Sequence, residues 1–398
     1  MPALLPSPSP EASRHSARLV EFIRRDIAAH CDAETKHGWI SFARYMELAL
    51  YAPGLGYYTA GAHKFGETGD FVTAPELSPL FGRTLARQMA EIMANSAPHI
   101  MELGAGSGKL AADMLAELEK LGKLPDSYAI LEVSADLRAR QQAFLRERLP
   151  HLMGRLHWLN ELPESFCGAI IANEVLDALS AHLVHWWDGA INERGVALDD
   201  NGFIWQERAV SDSNLLSAAQ QIAAPDDYVS EICLAARGLV NSLASCLEQG
   251  VMLFIDYGFG AQEYYHPQRS SGTLMCHYRH HAHDDPFFLP GLQDITAHVN
   301  FTGIAEYGID AGLELMGYTS QAFFLINCGI AELLQDTSPE NLRGYLPLSA
   351  QLQKLTSPAE MGELFKVIAF GKNLAISSAG GASNPLLGFV RGGLTRLL

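Results

Sequence analysis

Residues 99–109 read HIMELGAGSGK, and the way this stretch is parsed decides the fold. The apolar run His99-Ile100-Met101 leads into Glu102. Gly104, Gly106 and Gly108 then alternate with small residues, and Lys109 to Leu115 carries apolar side chains at helical spacing. That pattern predicts a strand, a tight glycine turn and a helix. Alternate glycines open backbone conformations closed to other residues and let a ligand lie against the main chain.

Two cofactor classes use such a turn. A dinucleotide site wants G-x-G-x-x-G, so that a pyrophosphate can approach the helix N-terminus. Here the third glycine comes one residue early, and Lys109 stands where that pattern wants glycine. An acidic residue ahead of G-x-G-x-G suits S-adenosylmethionine (SAM), which has no phosphate but carries an ammonium and a sulfonium. Glu102 would then meet its amino-acid end directly or through a water. An ordinary strand-to-helix turn is the remaining reading.

Outward from the turn, strands and helices alternate. Strands are predicted at 128–134, 156–159, 167–173 and 251–258, with a polar helix over 136–148. The apolar runs 321–327 and 365–371 read as a last pair of strands closing the sheet. The alternation implies an α/β fold with a doubly wound parallel sheet that binds ligands at the carboxyl ends of its strands. Residues 1–14 read as a disordered N-terminus and 15–96 as a helical region. The latter contains a glycine-rich loop with Tyr57, Tyr58 and Phe71, suited to a lid. Residues 97–376 read as the core, with insertions at about 181–250 and 259–318 that should bind substrate, and 377–398 as a flexible tail. Within the insertions, a hairpin is expected from 182–187 and 203–208, and a helix around 228–247.

The chain has 398 residues, 48% of them hydrophobic and 18% charged, which are globular values. A net charge of −17 disfavours nucleic acid, whose binding depends on Lys and Arg neutralising phosphates. Six scattered cysteines without a C-x-x-C fit a reducing compartment. No apolar run reaches membrane-spanning length, so no membrane span is expected. The first residues give no compelling transit signal, which favours a bacterial cytoplasm over a mitochondrial matrix.

Several side chains could carry chemistry. Glu132, 24 residues after Gly108 and at the end of the second strand, could accept both hydroxyls of a ribose, while Leu131 and Val133 point into the core. Asn173, Glu174 and Asp177 end the fourth strand. If a helix starts there, Glu174 and Asp177 share a face and could grip a cation beside a methyl donor; helix capping is the plainer role. Asp256 and Tyr257 end the fifth strand, where Asp256 either binds loop amides or lines the site. His280 or His298 could serve as a base. The His and Asp density of 276–298 matches no metal-ligand spacing, and no metal is expected.

In order along the chain stand GDFVTAPELSPLFG (69–82), ELGAGSGKL (102–110), LEVSADLRARQ (131–141), ANEVLDAL (172–179), IDYG (255–258), GTL (272–274), PGLQDITAHVNF (290–301) and MGELFKVIAFGK (361–372). These segments resemble the MidA-like SAM-dependent methyltransferases over about residues 15–372. The resemblance implies a class I methyltransferase fold with a helical N-terminal extension. It implies SAM as cofactor, held by Glu102, Gly104, Gly106, Gly108 and Glu132, and Asn173 is a further cofactor-binding candidate. It implies a protein acceptor whose arginine is methylated, such as a core subunit of respiratory complex I. Glu174 and Asp177 would orient the guanidinium and His298 or a carboxylate would take the proton. Asp256, Tyr257, Asp294 and Thr296 would bind substrate. Two positions depart from the family: Leu176 stands where an aromatic residue is usual, and Asn300 where Asp is usual. A small-molecule methyltransferase, a non-catalytic SAM-binding assembly chaperone and, more weakly, a nicotinamide oxidoreductase are the rival readings.

Overall fold

The computed structural model describes residues 5–31, 38–60, 72–374 and 385–398. Residues 61–71 of the expected lid therefore lie outside the described residues. The chain divides into two compact units. One comprises 72–176, 239–261 and 299–398; the other comprises 1–71, 177–238 and 262–298.

The first unit is built on a seven-stranded sheet: β1 (His99–Leu103), β2 (Ser127–Leu131), β3 (Leu156–Leu159), β4 (Phe166–Asn173), β5 (Leu247–Phe259), β6 (Glu314–Ser320) and β7 (Phe365–Lys372). Its spatial order is β6-β7-β5-β4-β1-β2-β3, with a short strand at Val299–Asn300 added on the end of β5. Strands β1 to β5 are parallel, and β7 runs against both β5 and β6. From β1 the chain winds outward to β2 and β3, then returns to β4 on the other side. The switch point is thus the crevice at the carboxyl ends of β1 and β4, where open α/β sheets bind ligands. Ile100, Met101, Ile170, Ile171, Val251 and Leu253 are buried. Strands covered on both faces need continuous apolar runs rather than alternation.

Four expectations change. The run 321–327 is a helix: Ser320 caps it, and Gln321, Phe324 and Leu325 are buried while Phe323 and Ile326 are exposed. That is a 3.6-residue period, and the strand is the preceding Glu314–Ser320. The first helix starts at Pro10, inside the stretch expected to be disordered, with Ser9 accepting from the Ala12 N–H at 3.2 Å. Residues 72–96 belong to the sheet unit rather than to a separate helical region. Of the tail, 377–384 lie outside the described residues, whereas 385–398 is packed, with Leu386 and Phe389 buried and the Asn327 side chain donating to the Gly388 and Arg391 carbonyls.

The second unit joins the N-terminal helices to parts of both insertions. Its main sheet runs Trp39–Ser41, Ala190–Asp199, His182–Trp187, Tyr228–Ile232, with Gly202–Ala209 also on Ala190–Asp199. The expected hairpin has an extra strand. Asp188 and Gly189 take positive φ (49° and 72°) between Trp187 and its partner Ala190, a two-residue turn that reverses the chain at once. Tyr228–Ile232 is a strand, and the helix follows at Leu234–Cys246. A small sheet of Met275–Tyr278, His281–His283 and Asp294–Thr296 completes the unit. Leu19, Ile23, Phe42, Tyr45, Leu183 and Ile295 form its core.

Candidate functional site

After Leu103 the backbone enters the left-handed region at each glycine: φ is 63° at Gly104, 53° at Gly106 and 85° at Gly108. A side chain at any of them would strain the turn. A Cβ at Gly104 would also lie 3.1 Å from Val175 Cγ2. The turn is tied down from outside. Ser107 Oγ donates to the Glu76 carboxylate, and Lys109 Nζ donates to the Glu76 carbonyl at 2.8 Å. Glu76 belongs to the 69–82 segment, quoted above without a role. Glu102 is buried at the end of β1, and its Oε2 accepts from the Tyr128 hydroxyl at 2.6 Å. Burial pushes its carboxyl up to about 7 against the opposing effect of that bond, and the field of Glu132 pushes the same way.

Glu132 follows β2 directly. Its Oε1 accepts from the Ser134 N–H at 2.8 Å and its Oε2 from Gln141 Nε2 at 3.0 Å. Val133 does not enter the core as expected. The strand ends at Leu131, and the Val133 side chain is 73% exposed.

At the end of β4, residues 174–180 form bends and turns rather than the expected first turn of a helix. Two facts explain this. Glu174 stands at φ 52°, its N–H given to the Ile255 carbonyl at 2.9 Å. The Leu176 N–H goes to Asp256 Oδ2 at 2.9 Å. Asp256 also accepts from the Tyr257 N–H at 2.9 Å and is 1% exposed, so it clamps the loop, the first of its two expected roles. Tyr257 packs edge-on against Phe365. Asn173 Nδ2 donates to Glu174 Oε1 at 3.1 Å, and its buried Oδ1 has no hydrogen-bond partner among the described residues. A non-glycine residue at positive φ costs on the order of 1 kcal/mol or more and concentrates at functional sites.

Within the second unit, three distant segments meet. Tyr58 Oη donates to both oxygens of Asp294 at 3.0 Å, and the ring of Tyr58 stacks on Tyr51 at 5.4 Å. Burial first, then the charges of Asp294 and Asp177, hold the Tyr58 hydroxyl well above its ordinary range. Asp177 is buried, and its carbonyl accepts from the Ala297 N–H at 3.0 Å. Asp294 Oδ1 further accepts from Ile295 N–H, while the buried Thr296 Oγ1 has no partner among the described residues. His298 is pushed down to about 4, mainly by burial. It is therefore neutral at pH 7 and a weak proton acceptor. Its N–H bonds Thr273 Oγ1 at 3.0 Å. Glu231 holds the 272–274 segment by accepting the N–H groups of Thr273 and Leu274 at 2.7 and 2.8 Å. His280, beside the Asp-rich segment, stands at φ 63° in the turn between the two short strands. Among the described residues, no group of three or more His, Cys, Asp or Glu side chains is disposed to hold a metal ion. Likewise, no described helix is long and apolar enough to cross a membrane.

The first unit fits SAM. The glycine turn offers bare backbone at the switch point, Asn173 Oδ1 is a buried acceptor without a partner, and Glu132 stands beside an exposed apolar Val133. Glu102, expected to meet the amino-acid end of SAM directly or through a water, has its Oε2 engaged with Tyr128 inside the sheet.

Comparison with known proteins agrees. Residues 80–319 match a family described as "Putative S-adenosyl-L-methionine-dependent methyltransferase". A solved structure from Burkholderia thailandensis, bound to S-adenosyl-homocysteine, superposes with a TM-score of 0.91 at 47% identity, covering 99% of this chain and 100% of its own. The mitochondrial protein arginine methyltransferase NDUFAF7 of Danio rerio is 29% identical over 361 residues, 83% of this chain and 82% of that protein. The corresponding Drosophila melanogaster homologue is 29% identical over 368 residues, 83% and 81% of the two chains.

Proposed function

The chain belongs to this family of SAM-dependent methyltransferases, with SAM as its cofactor, and on that premise we propose that it methylates an arginine side chain of a protein. The observation that carries the reading is the carboxylate-bearing segment 173–178. It leaves β4 at the switch point of the sheet and is held there by Asp256, with Glu174 in a strained conformation. The arginine-methylating relatives support the same acceptor class.

When bound, SAM supplies a methyl carbon activated by a sulfonium, whose bond to sulfur breaks as the bond to the acceptor nitrogen forms, leaving one nitrogen-bound proton to be removed. The protein's work is alignment and exclusion of water. Gly104, Gly106, Gly108, Glu132 and Asn173 hold the cofactor. Glu174 and Asp177 accept charge-assisted hydrogen bonds from the guanidinium and fix which nitrogen faces the methyl group. Asp294, oriented by Tyr58, and Thr296 bind the acceptor, and Asp256 supports the loop, with Tyr257 next to it at the end of β5. The proton goes to a carboxylate rather than to His298, whose burial makes it a weak base. A core subunit of respiratory complex I is the acceptor that the family resemblance implies, and the cytoplasm is the compartment proposed.

The test is Glu174→Gln and Asp177→Asn, assayed for SAM binding and for methyl transfer to arginine. Loss of transfer with binding kept is expected. Transfer that persists near the wild-type rate in both variants overturns the assignment.

A further inference from the structure

The segment 131–141 ends in Gln141, which has no place in the reading given so far. It lies on the helix Ala135–Arg148 and is fully buried. Its amide makes three hydrogen bonds. Nε2 donates to the Gly106 carbonyl at 3.0 Å and to Glu132 Oε2 at 3.0 Å, and Oε1 accepts from the indole Nε1 of Trp158 at 3.0 Å. One side chain thus ties the glycine turn to the carboxylate assigned to the ribose. These elements lie at the ends of different strands, β1 and β2; the backbone joins them at the base of the turn, where the Gly104 N–H bonds the Leu131 carbonyl at 3.2 Å, and no backbone hydrogen bond links Gly106 to Glu132 among the described residues.

The orientation of that amide is chemically forced. A peptide carbonyl and a carboxylate only accept, and an indole N–H only donates. With Trp158 donating to Oε1, both N–H groups must face Gly106 and Glu132. Without Trp158, Gly106 and Glu132 still call for the two donors, but the buried Oε1 loses its partner and the amide is held less firmly. Gly108 closes the arrangement from the other side: its Cα faces the Gln141 backbone and Cγ, each 3.6 Å from where a Cβ would be.

We propose that Gln141, oriented by Trp158, is the positioning residue that sets the glycine turn and Glu132 at the spacing SAM requires. It acts through those two elements and not on the methyl transfer itself. The proposal rests on the cofactor and on Glu132 as its ribose ligand, and is independent of the acceptor.

The test is calorimetric titration of the full-length protein with S-adenosyl-homocysteine. Gln141→Met keeps the volume and removes both donors, and should raise the Kd about tenfold or more, as expected for a lost hydrogen bond to a charged group. Trp158→Phe, which touches Glu132 and Gly106 only through Gln141, should raise it about threefold, the milder effect of losing an orienting bond. The decisive readout is a double-mutant cycle. In a Glu132→Gln background, Gln141→Met should cost clearly less than it does in the wild type, because one of the two partners through which it acts is already altered. A residue that merely packs the helix would cost the same factor in both backgrounds, and that additivity overturns the proposal. So does an unchanged Kd in Trp158→Phe. Should Gln141→Met fail to fold, the cycle is run with Trp158→Phe instead. Loss of arginine methylation with these affinities unchanged would count against this proposal and leave the acceptor assignment standing.

Discussion

The glycine turn of the sheet unit and the Tyr58–Asp294 cluster of the second unit hold polar groups in place in opposite ways. The turn uses backbone. Three residues within five positions adopt positive φ, and the surrounding strands fix where they stand. The cluster uses side chains. Tyr58, Asp177 and Asp294 come from segments more than a hundred residues apart and are positioned by hydrogen bonds, ring stacking and burial. A backbone device tolerates almost no substitution. A side-chain device loses function in increments. The cofactor, a fixed ligand, matches the first, and the proposed protein acceptor would be held by the second.

The comparison can be broken at its rigid side first. Gly106→Val places a β-branched residue at φ 53° and should weaken SAM binding by more than a hundredfold, measured by calorimetry. A variant that binds within tenfold of wild type would show that the turn is adaptable. Next, Glu174→Gln should lower kcat by about a hundredfold while SAM affinity stays within twofold, since it removes the interaction proposed with the acceptor.

A third expectation concerns pH. Glu102 has an ordinary carboxyl pKa of 4.5 when unfolded and about 7 in the folded protein, so the folded state holds its proton more tightly. The stability this contributes is complete below about pH 4.5 and is lost as pH rises to about 7, a swing of roughly 3 kcal/mol. Asp113, raised to about 6 mainly by burial, acts in the same direction. Glu102→Gln should therefore flatten the dependence of Tm on pH and raise Tm at pH 8 relative to wild type. Equal slopes in the two proteins would contradict the burial argument. The smallest effect belongs to the cluster. Tyr58→Phe removes the donor to Asp294 and should raise KM for the acceptor about fivefold, with SAM affinity unchanged.

How much was legible follows the same division. Gly104, Gly106, Gly108 and Glu132 were readable because the turn and the carboxylate follow contiguous strand patterns. The core strands were readable for the same reason. The helix at 321–327 reads as a strand because its five consecutive apolar residues, Ala322 to Ile326, cannot display a period without knowledge of which side is covered. The extra strand Ala190–Asp199 was missed although Asp188-Gly189 is a hairpin signal, because the strand's Asn192, Glu193 and Arg194 mask its alternation. The 173–178 segment was expected to be helical because its composition is compatible with a helix; Asp256, eighty residues away, diverts the Leu176 N–H. Glu76, Gln141, Trp158 and Glu231 act only through residues distant in sequence. Glu76 and Gln141 sit in segments that the family resemblance had already marked, which was the one available signal.

The central claim is that this protein methylates a protein arginine by means of the 173–178 carboxylates. Mass spectrometry of the proteome tests it most directly, in cells carrying the wild-type chain, lacking it, or carrying Glu174→Gln. At least one methyl-arginine site should be present in the first and absent from both others. An identical set of methyl-arginine sites in all three would contradict the account.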